Sequence, residues 1–401
     1  MTSDLPPADR QSYVLAGCRT PMGKLLGQLS TVPAPTLGAI AIREALFRAD
    51  LPPGQVDEVI MGNILSAGLG QAPARQAALA AGIPDSVPAL TINKMCGSGL
   101  KAVMLADQAI RAGDARCVVA GGMENMSRAP FLMEGARAGY KYGHQQLVDS
   151  MIRDGLWCAF EDLPMGAEGD YIAASKGVSR QDQDTFSCES QRRAAEAVEQ
   201  GRFDAQIVPV SVPSRKGEVL IERDEGPRPD TSLEGLAKLR PAFGTDGTVT
   251  AGNASQISDG AAALVVADAA MARECSSPIK ARIVAAAASG TAPKELFIAP
   301  VSAIERVLAK AKLTLADIDL VELNEAFAAQ CLACMRPLEL DHAKTNVHGG
   351  AIALGHPIGA SGARVLVTLL YALHERGLRR GLAALCLGGG NAVAMIVERD
   401  G

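Results

Sequence analysis

Aromatic side chains are scarce in this chain: one Trp, five Tyr and eight Phe among 401 residues, or 3%. That scarcity argues against an aromatic-rich binding surface. With abundant Ala and 41 Gly it favours helices and sheets that pack with close backbone approach. There is no long Lys/Arg block, the net charge is −5 and the sequence pI is near 5.7, so the basic face that phosphate neutralisation needs is missing. No run of about 18 apolar residues occurs, which leaves no candidate membrane span. The start, Met1-Thr2-Ser3-Asp4-Leu5-Pro6-Pro7, has no basic region followed by an apolar stretch; with Asp4 and Asp9 it is expected to be neither an export signal nor a transit peptide. Glu398-Arg399-Asp400-Gly401 is not a Ser-Lys-Leu peroxisomal address. Nine cysteines, an odd number dispersed along the chain, suggest neither a disulfide framework nor a zinc site. The expectation is reduced thiols in a cytoplasmic protein.

What is present is enough apolar residue, 48% of the chain, to bury a large core in two or three domains of α/β type. Two stretches share a rhythm that suggests an internal duplication. In the first, Val56-Asp57-Glu58-Val59-Ile60-Met61 leads to a turn at Cys96, a helical spacing from Leu100 to Ile110, and the apolar run Cys117-Val118-Val119-Ala120-Gly121-Gly122. In the second, Ile318-Asp319-Leu320-Val321-Glu322-Leu323 leads to a turn at His356, a helical spacing from Ala363 to Leu373, and Leu385-Cys386-Leu387-Gly388-Gly389. Each reads as strand, turn, helix, strand, and the continuous apolar runs suit strands buried on both faces. Ser98-Gly99 and Ser361-Gly362 open the two helices alike. Between the halves, over 127–257, polar residues and Pro increase, and the stretch reads as an insertion. Within it Ser179-Arg180-Gln181-Asp182 starts a long polar helix that stops at Gly201, expected to face solvent or lie at an edge. The Pro-punctuated segment from there to Gly252 reads as surface loops.

Four positions could carry chemistry. Cys96, in Asn93-Lys94-Met95-Cys96-Gly97-Ser98-Gly99, precedes a helix whose N-terminal partial charge is expected to lower the thiol pKa and favour the thiolate; the alternative is a small residue buried at a turn. His356, one of five histidines, is fixed between Gly355 and Pro357 in a run built of small residues, which suits a base reaching a sulfur, or else a helix cap. His348 is the weaker candidate. Asn324 follows a strand end, where its amide could hold a water or carbonyl oxygen, or simply cap the next helix. Cys386 ends an apolar strand before Gly388-Gly389-Gly390 and could take a proton from a carbon acid, or be core.

Together these blocks resemble the thiolase family, the acetyl-CoA acetyltransferases and 3-ketoacyl-CoA thiolases. The resemblance runs nearly end to end, through Arg19-Thr20-Pro21-Met22-Gly23, the Cys96 turn, Gly121-Gly122-Met123-Glu124-Asn125-Met126-Ser127, Ala251-Gly252-Asn253-Ala254-Ser255, Asn324-Glu325-Ala326-Phe327, the His356 run and Cys386-Leu387-Gly388-Gly389-Gly390. It implies a five-layer αβαβα fold of two duplicated halves with an inserted loop domain. The first half would cover 1–126, completed by 258–278, the insertion 127–257, and the second half 279–401. It implies that Cys96 attacks an acyl-CoA thioester with His356 as base, and that Cys386 then removes an α-proton from acetyl-CoA. His356 and a water on Asn324 would serve one oxyanion, and the backbone N–H groups of Cys96 and Gly388 the other. Ser255 and Met165 would lie along the pantetheine arm of CoA, Arg228 near its nucleotide phosphates, and Phe327 in the acyl pocket. CoA would be a substrate, with no metal or other cofactor required. The segment 135–160 resembles a tetramerisation loop, which favours a homotetramer.

Two segments depart from the family pattern. Pro164-Met165-Gly166 stands where His-Met-Gly is common, and Leu296-Phe297-Ile298-Ala299-Pro300 where Met-Gly-x-Gly-Pro is common, which bears on acyl preference and leaves the catalytic set intact. Other readings are a carrier-protein ketoacyl synthase, against which Cys386 argues, a cysteine hydrolase, and a non-catalytic scaffold of the same fold, in which a catalytic group would be missing.

Overall fold

The computed structural model describes residues 11–215 and 217–399. The targeting-related stretch Met1 to Pro7 with Asp9, and Asp400-Gly401, lie outside the described residues.

In chain order the first half is β1 (Ser12–Arg19), α1 (Ala34–Arg48), β2 (Glu58–Gly62), α2 (Pro73–Ala80), β3 (Ala89–Ile92), α3 (Ser98–Ala112) and β4 (Cys117–Asn125). The insertion contributes α4 (Met165–Ser175), α5 (Arg180–Glu199) and a hairpin of β5 (Val210–Ser214) and β6 (Gly217–Ile221), after which β7 (Ser258–Asp268) rejoins the first sheet. The second half is β8 (Ala281–Gly290), α6 (Ala299–Ala311), β9 (Leu320–Leu323), α7 (Ala328–Leu338), α8 (Ser361–Glu375), β10 (Arg380–Leu387) and β11 (Asn391–Arg399).

The strands run β9-β10-β11-β8-β1-β7-β4-β2-β3. Read from its outer edge inward, each half repeats one pairing scheme. In the first, β3 is parallel to β2 and β2 to β4, then β4-β7 and β7-β1 are antiparallel. In the second, a parallel bridge from Thr345 to Val321 stands at the edge, β9 is parallel to β10, and β10-β11 and β11-β8 are antiparallel. The sheets meet through only two register pairs, Tyr13 with Arg282 and Val14 with Ala281.

Strand periodicity sorts the core into layers. On β4, Val118 and Ala120 face the central layer with α3 and α8, while Val119 and Met123 face α1 and α2. The central helices are wrapped by sheet on both sides, so α8 is apolar almost all round: Leu366, Leu369, Leu370 and Leu373 are fully buried, each contributing about 1.5–3 kcal/mol. α6 covers the outer face of the second sheet.

One expectation about the insertion is refined and one corrected. α5 has the capping box expected at Ser179 and Asp182, and it faces solvent on one side only, through Gln181, Thr185, Arg192, Glu196 and Glu199. It buries Gln183, Asp184, Ser187, Ser190 and Gln191 because each is hydrogen-bonded; Ser190 donates to Glu325 Oε2 at 2.7 Å and Gln191 to the carbonyl of Ile352 at 3.2 Å. The segment to Gly252 is not all loop, since β5 and β6 pair through Val210–Ile221 and Val212–Val219, and Val210 and Val212 pack on the outer core.

Candidate active site

The Cys96 turn is held by side chains on either side of it. Ser98 Oγ accepts from Lys94 N at 2.8 Å and donates to Met95 O at 2.7 Å, and Asn93 Oδ1 accepts from Met95 N at 3.0 Å. These bonds keep Met95 at φ 46°, a left-handed conformation costly for a side chain of this size. The strained residue delivers Cys96 to the wall of a cavity of about 60 Å³ lined also by Met95, Leu296, Phe297, Phe327, His356, Cys386 and Gly388. Burial pushes the Cys96 thiol up to about 11, against the pull of the backbone N–H groups of Cys96 and Gly388. Desolvation thus opposes the lowering expected from the helix terminus, where α3 begins two residues later, at Ser98.

His356 reaches the same cavity because its loop crosses the ends of the first-half strands. A β-carbon on Gly62 would come within 2.7 Å of Gly359 O, and one on Gly122 would overlap that carbonyl, so only glycine permits the crossing. Glu124, fully buried, ties the loop down. It accepts from Gly359 N at 3.0 Å, Ile64 N at 3.0 Å, Leu65 N at 3.2 Å and Asn63 Nδ2 at 2.7 Å. Burial pushes this carboxyl up to about 7 against those backbone N–H groups.

The tautomer of His356 follows from its one ring partner. Ser361 Oγ lies 2.9 Å from Pro357 O and 2.6 Å from His356 Nδ1; with its single proton given to the carbonyl it accepts from Nδ1–H, the arrangement that leaves Nε2 as the basic nitrogen. Nε2 is left as a lone pair, buried and without a partner among the described residues. Desolvation, reinforced by the Arg364 cation, pushes the imidazole down to about 3, so it rests neutral. Neutral, with Nε2 free, it is suited to accept a proton.

Cys386 ends β10 and is fully buried; desolvation and the neighbouring Cys96 and Cys334 sulfurs hold its thiol well above the usual range. Asn324 sits at the end of the adjacent β9 and lines neither cavity. Its N–H donates to Ala384 O at 3.0 Å, its Oδ1 accepts from Arg364 Nη2 at 3.3 Å, and its Nδ2 is buried without a partner among the described residues. It does not cap α7, whose N-cap is Phe327; Phe327 thus precedes that helix and lies edge-on to Phe297, ring centroids 5.2 Å apart. His348 is structural, stacked edge-on to Phe203 and 3.4 Å from Glu375.

The small cavity shares Met165, Ser255, Phe327 and His356 with a neighbouring one of about 540 Å³ whose walls also include Arg228. The three residues expected along CoA, Ser255, Met165 and Arg228, thus share one cleft with Phe327, expected in the acyl pocket. Lys24 adds a second cation that sequence reasoning missed, as it missed Ser361 and Arg364, whose roles exist only through the contacts just described. Cys331 and Cys334 form a C-x-x-C spacing on α7, an exception to the dispersal of cysteines. Both are buried and free, donating to Asn324 O at 3.7 Å and Phe297 O at 3.1 Å. Among the described residues no group of three or more His, Cys, Asp and Glu could hold a metal ion, and no helix is long and apolar enough to cross a membrane.

The chain is similar to known proteins over nearly its whole length. Residues 12–270 match the thiolase N-terminal domain and residues 277–399 the thiolase C-terminal domain. An acetyl-CoA acetyltransferase of Pseudomonas aeruginosa is 55% identical over 388 residues, 96% of this chain and 99% of the relative. One of Cupriavidus necator is 52% identical over 96% of this chain and 98% of the relative. The crystal structure of the Bacillus anthracis acetyl-CoA acetyltransferase superposes with a TM-score of 0.95 at 41% identity, covering 98% of this chain and 99% of that one.

Proposed function

The chain belongs to the thiolase family, and on that premise we propose that it interconverts two acetyl-CoA with acetoacetyl-CoA and CoA, a reversible Claisen condensation through a cysteine acyl-enzyme. One observation carries the reading: Cys96, His356, Cys386 and Gly388 share the wall of a single small cavity that has Met165, Ser255, Phe327 and His356 in common with a larger, mostly apolar cleft.

The proton count closes on these groups. Cys96 gives its proton to His356 Nε2 and attacks the thioester carbon; the CoA sulfur leaves and takes that proton back from His356. The Cys96 and Gly388 N–H groups that face the sulfur are placed to hold the oxyanion of the acyl carbon bonded to it. Cys386 next passes its proton to His356 and, as thiolate, removes the α-proton of acetyl-CoA. The carbanion attacks the acyl carbon, and Cys96 leaves and recovers its proton from His356. His356 and an Asn324-held water would stabilise the thioester oxygen while the carbanion exists. Thiolate is both nucleophile and leaving group, so the exchange is nearly balanced and runs both ways. CoA is a substrate, and the balance calls for no redox or group-carrying cofactor.

Arg228 and Lys24 at the cleft suit the nucleotide phosphates, while Ser255 and Met165 flank the pantetheine path. The insertion, 127–257, supplies much of this cleft. A homotetramer is supported by exposed apolar side chains in its first part, Phe131 at 63%, Tyr142 at 99% and Phe160 at 69%, and light scattering tests it.

The deciding experiment incubates purified protein with acetoacetyl-CoA and CoA. Acetyl-CoA should form, Cys96→Ser should abolish the acyl-enzyme seen by mass spectrometry, and Cys386→Ala should still acylate Cys96 yet fail to condense. Normal turnover in Cys96→Ser would refute the reading.

A further inference from the structure

α8 places Ser361 and Arg364 one turn apart, and each touches a buried site group with a nitrogen unpartnered among the described residues. Ser361 fixes the His356 tautomer. Arg364 is fully buried and donates from Nη2 to Asn324 Oδ1 at 3.3 Å.

We propose that Arg364 is a positioning residue for the condensation step, holding the Asn324 amide so that its N–H group, and not its oxygen, is the end available to hold the water that serves the thioester oxygen. The proposal rests on the condensation reading above.

The backbone of Asn324 is already fixed, with its N–H on Ala384 O and its carbonyl accepting from Cys331 Sγ. What remains free is rotation of the amide, whose two ends are nearly equal in size and opposite in hydrogen-bonding sense. A guanidinium has donors only, so the amide end beside Arg364 must be the oxygen. Nδ2 is thereby turned away from Arg364, and it is the end left buried without a partner among the described residues. A flipped amide would put a donor against the cation and an acceptor where that water's oxygen has to be held. The competing explanation is that Arg364 merely balances the buried Glu322 and Glu325 carboxyls within its electrostatic reach. That role would affect folding and both chemical steps alike.

The two roles separate by step. The oxyanion on the Cys96-bound acyl carbon is served by the Cys96 and Gly388 N–H groups, whereas the Asn324 amide serves the enolising acetyl-CoA. The test measures deuterium uptake at the α-carbon of acetyl-CoA in D₂O and, separately, the rate of acyl-enzyme formation on Cys96. Wild-type protein must do both; if it does neither, the condensation reading fails, whatever Arg364 does. Given wild-type activity, Arg364→Met should slow α-exchange about 10–100-fold while acyl-enzyme formation stays within about twofold, and Arg364→Lys should recover part of the exchange. In an Asn324→Ala background the Arg364→Met loss should vanish. Equal slowing of both steps, or the same loss with and without Asn324, overturns the proposal. Should Arg364→Met not fold, Arg364→Lys carries the same cycle, and a Lys penalty undiminished by Asn324→Ala is equally fatal.

Discussion

Gly99 and Gly362 meet where α3 and α8 cross, so closely that a β-carbon on Gly99 would stand 2.6 Å from the backbone nitrogen of Ala363. A β-carbon on Gly362 would overlap the backbone of Leu100. These helices begin directly after the Cys96 turn and the His356 loop, so their separation sets the separation of the two groups.

Gly362→Ala should therefore cost about 1–3 kcal/mol of stability through overpacking. Thiolysis should fall further than the unfolded fraction accounts for, because the helices part at their N-terminal ends. Urea unfolding beside steady-state rates checks this, and a variant with wild-type midpoint and rate would show that the crossing tolerates a methyl group.

Leu296 and Phe297, from the segment that departs from the family pattern, line the inner cavity, and under the proposed reading they are the expected limit on acyl chain length. Replacing Phe297, fully packed against Phe327, by Ala should raise the preference for a six-carbon over a four-carbon 3-ketoacyl-CoA about tenfold. The figure follows from two methylenes at about 0.8 kcal/mol each. The same change should destabilise the fold by about 3–5 kcal/mol. The ratio of kcat/KM values across the series is the measurement, and an unchanged ratio would place the length limit elsewhere.

The resting thiol and imidazole are both neutral, since burial raises Cys96 to about 11 and lowers His356 to about 3. Alkylation of Cys96 by iodoacetamide, followed by peptide mass, should rise with pH from about 6 to about 9 without levelling. A plateau near neutrality would mean a preformed thiolate. His356 also bears on acid stability. The unfolded imidazole takes a proton from its ordinary 6.5 downward and the folded one only near 3, so its share of stability is complete above 6.5 and lost as pH falls toward 3. His356→Asn should flatten that part of the stability–pH curve.

Glu124 gathers four N–H donors from two loops, and Glu124→Gln would turn an amino group toward some of them. A loss of about 2–4 kcal/mol is expected, with slower acylation as the His356 loop loosens. Equal stability with unchanged acylation would remove Glu124 from any part in placing that loop.

The paired strand-turn-helix-strand units and the glycine-mounted Cys96, His356 and Cys386 were legible in the sequence because apolar runs and glycine turns are local signals. The buried face of α5 was not: beside Phe186, Ala194 and Ala197 most of its buried residues are polar, and hydropathy cannot distinguish Ser190 in water from Ser190 bonded to Glu325. Pro213 hid the β5–β6 hairpin, since proline within a run argues against a strand except at an edge. Ser361 reads only as a helix opener and Arg364 only as a charge, because what they do depends on partners at Nδ1 of His356 and Oδ1 of Asn324.

β1 and β8 share just two register pairs, while the small cavity takes Cys96 from one half and His356 and Cys386 from the other, the groups to which the proposed condensation gives the acyl acceptor and the bases. Neither half encloses a working centre. Cut between β7 and β8, the chain would yield one fragment with an acyl acceptor that has no base and another with bases that have no acceptor. Activity would be regained by mixing only if the fragments re-form the α3–α8 crossing, which makes catalysis a direct report on reassembly.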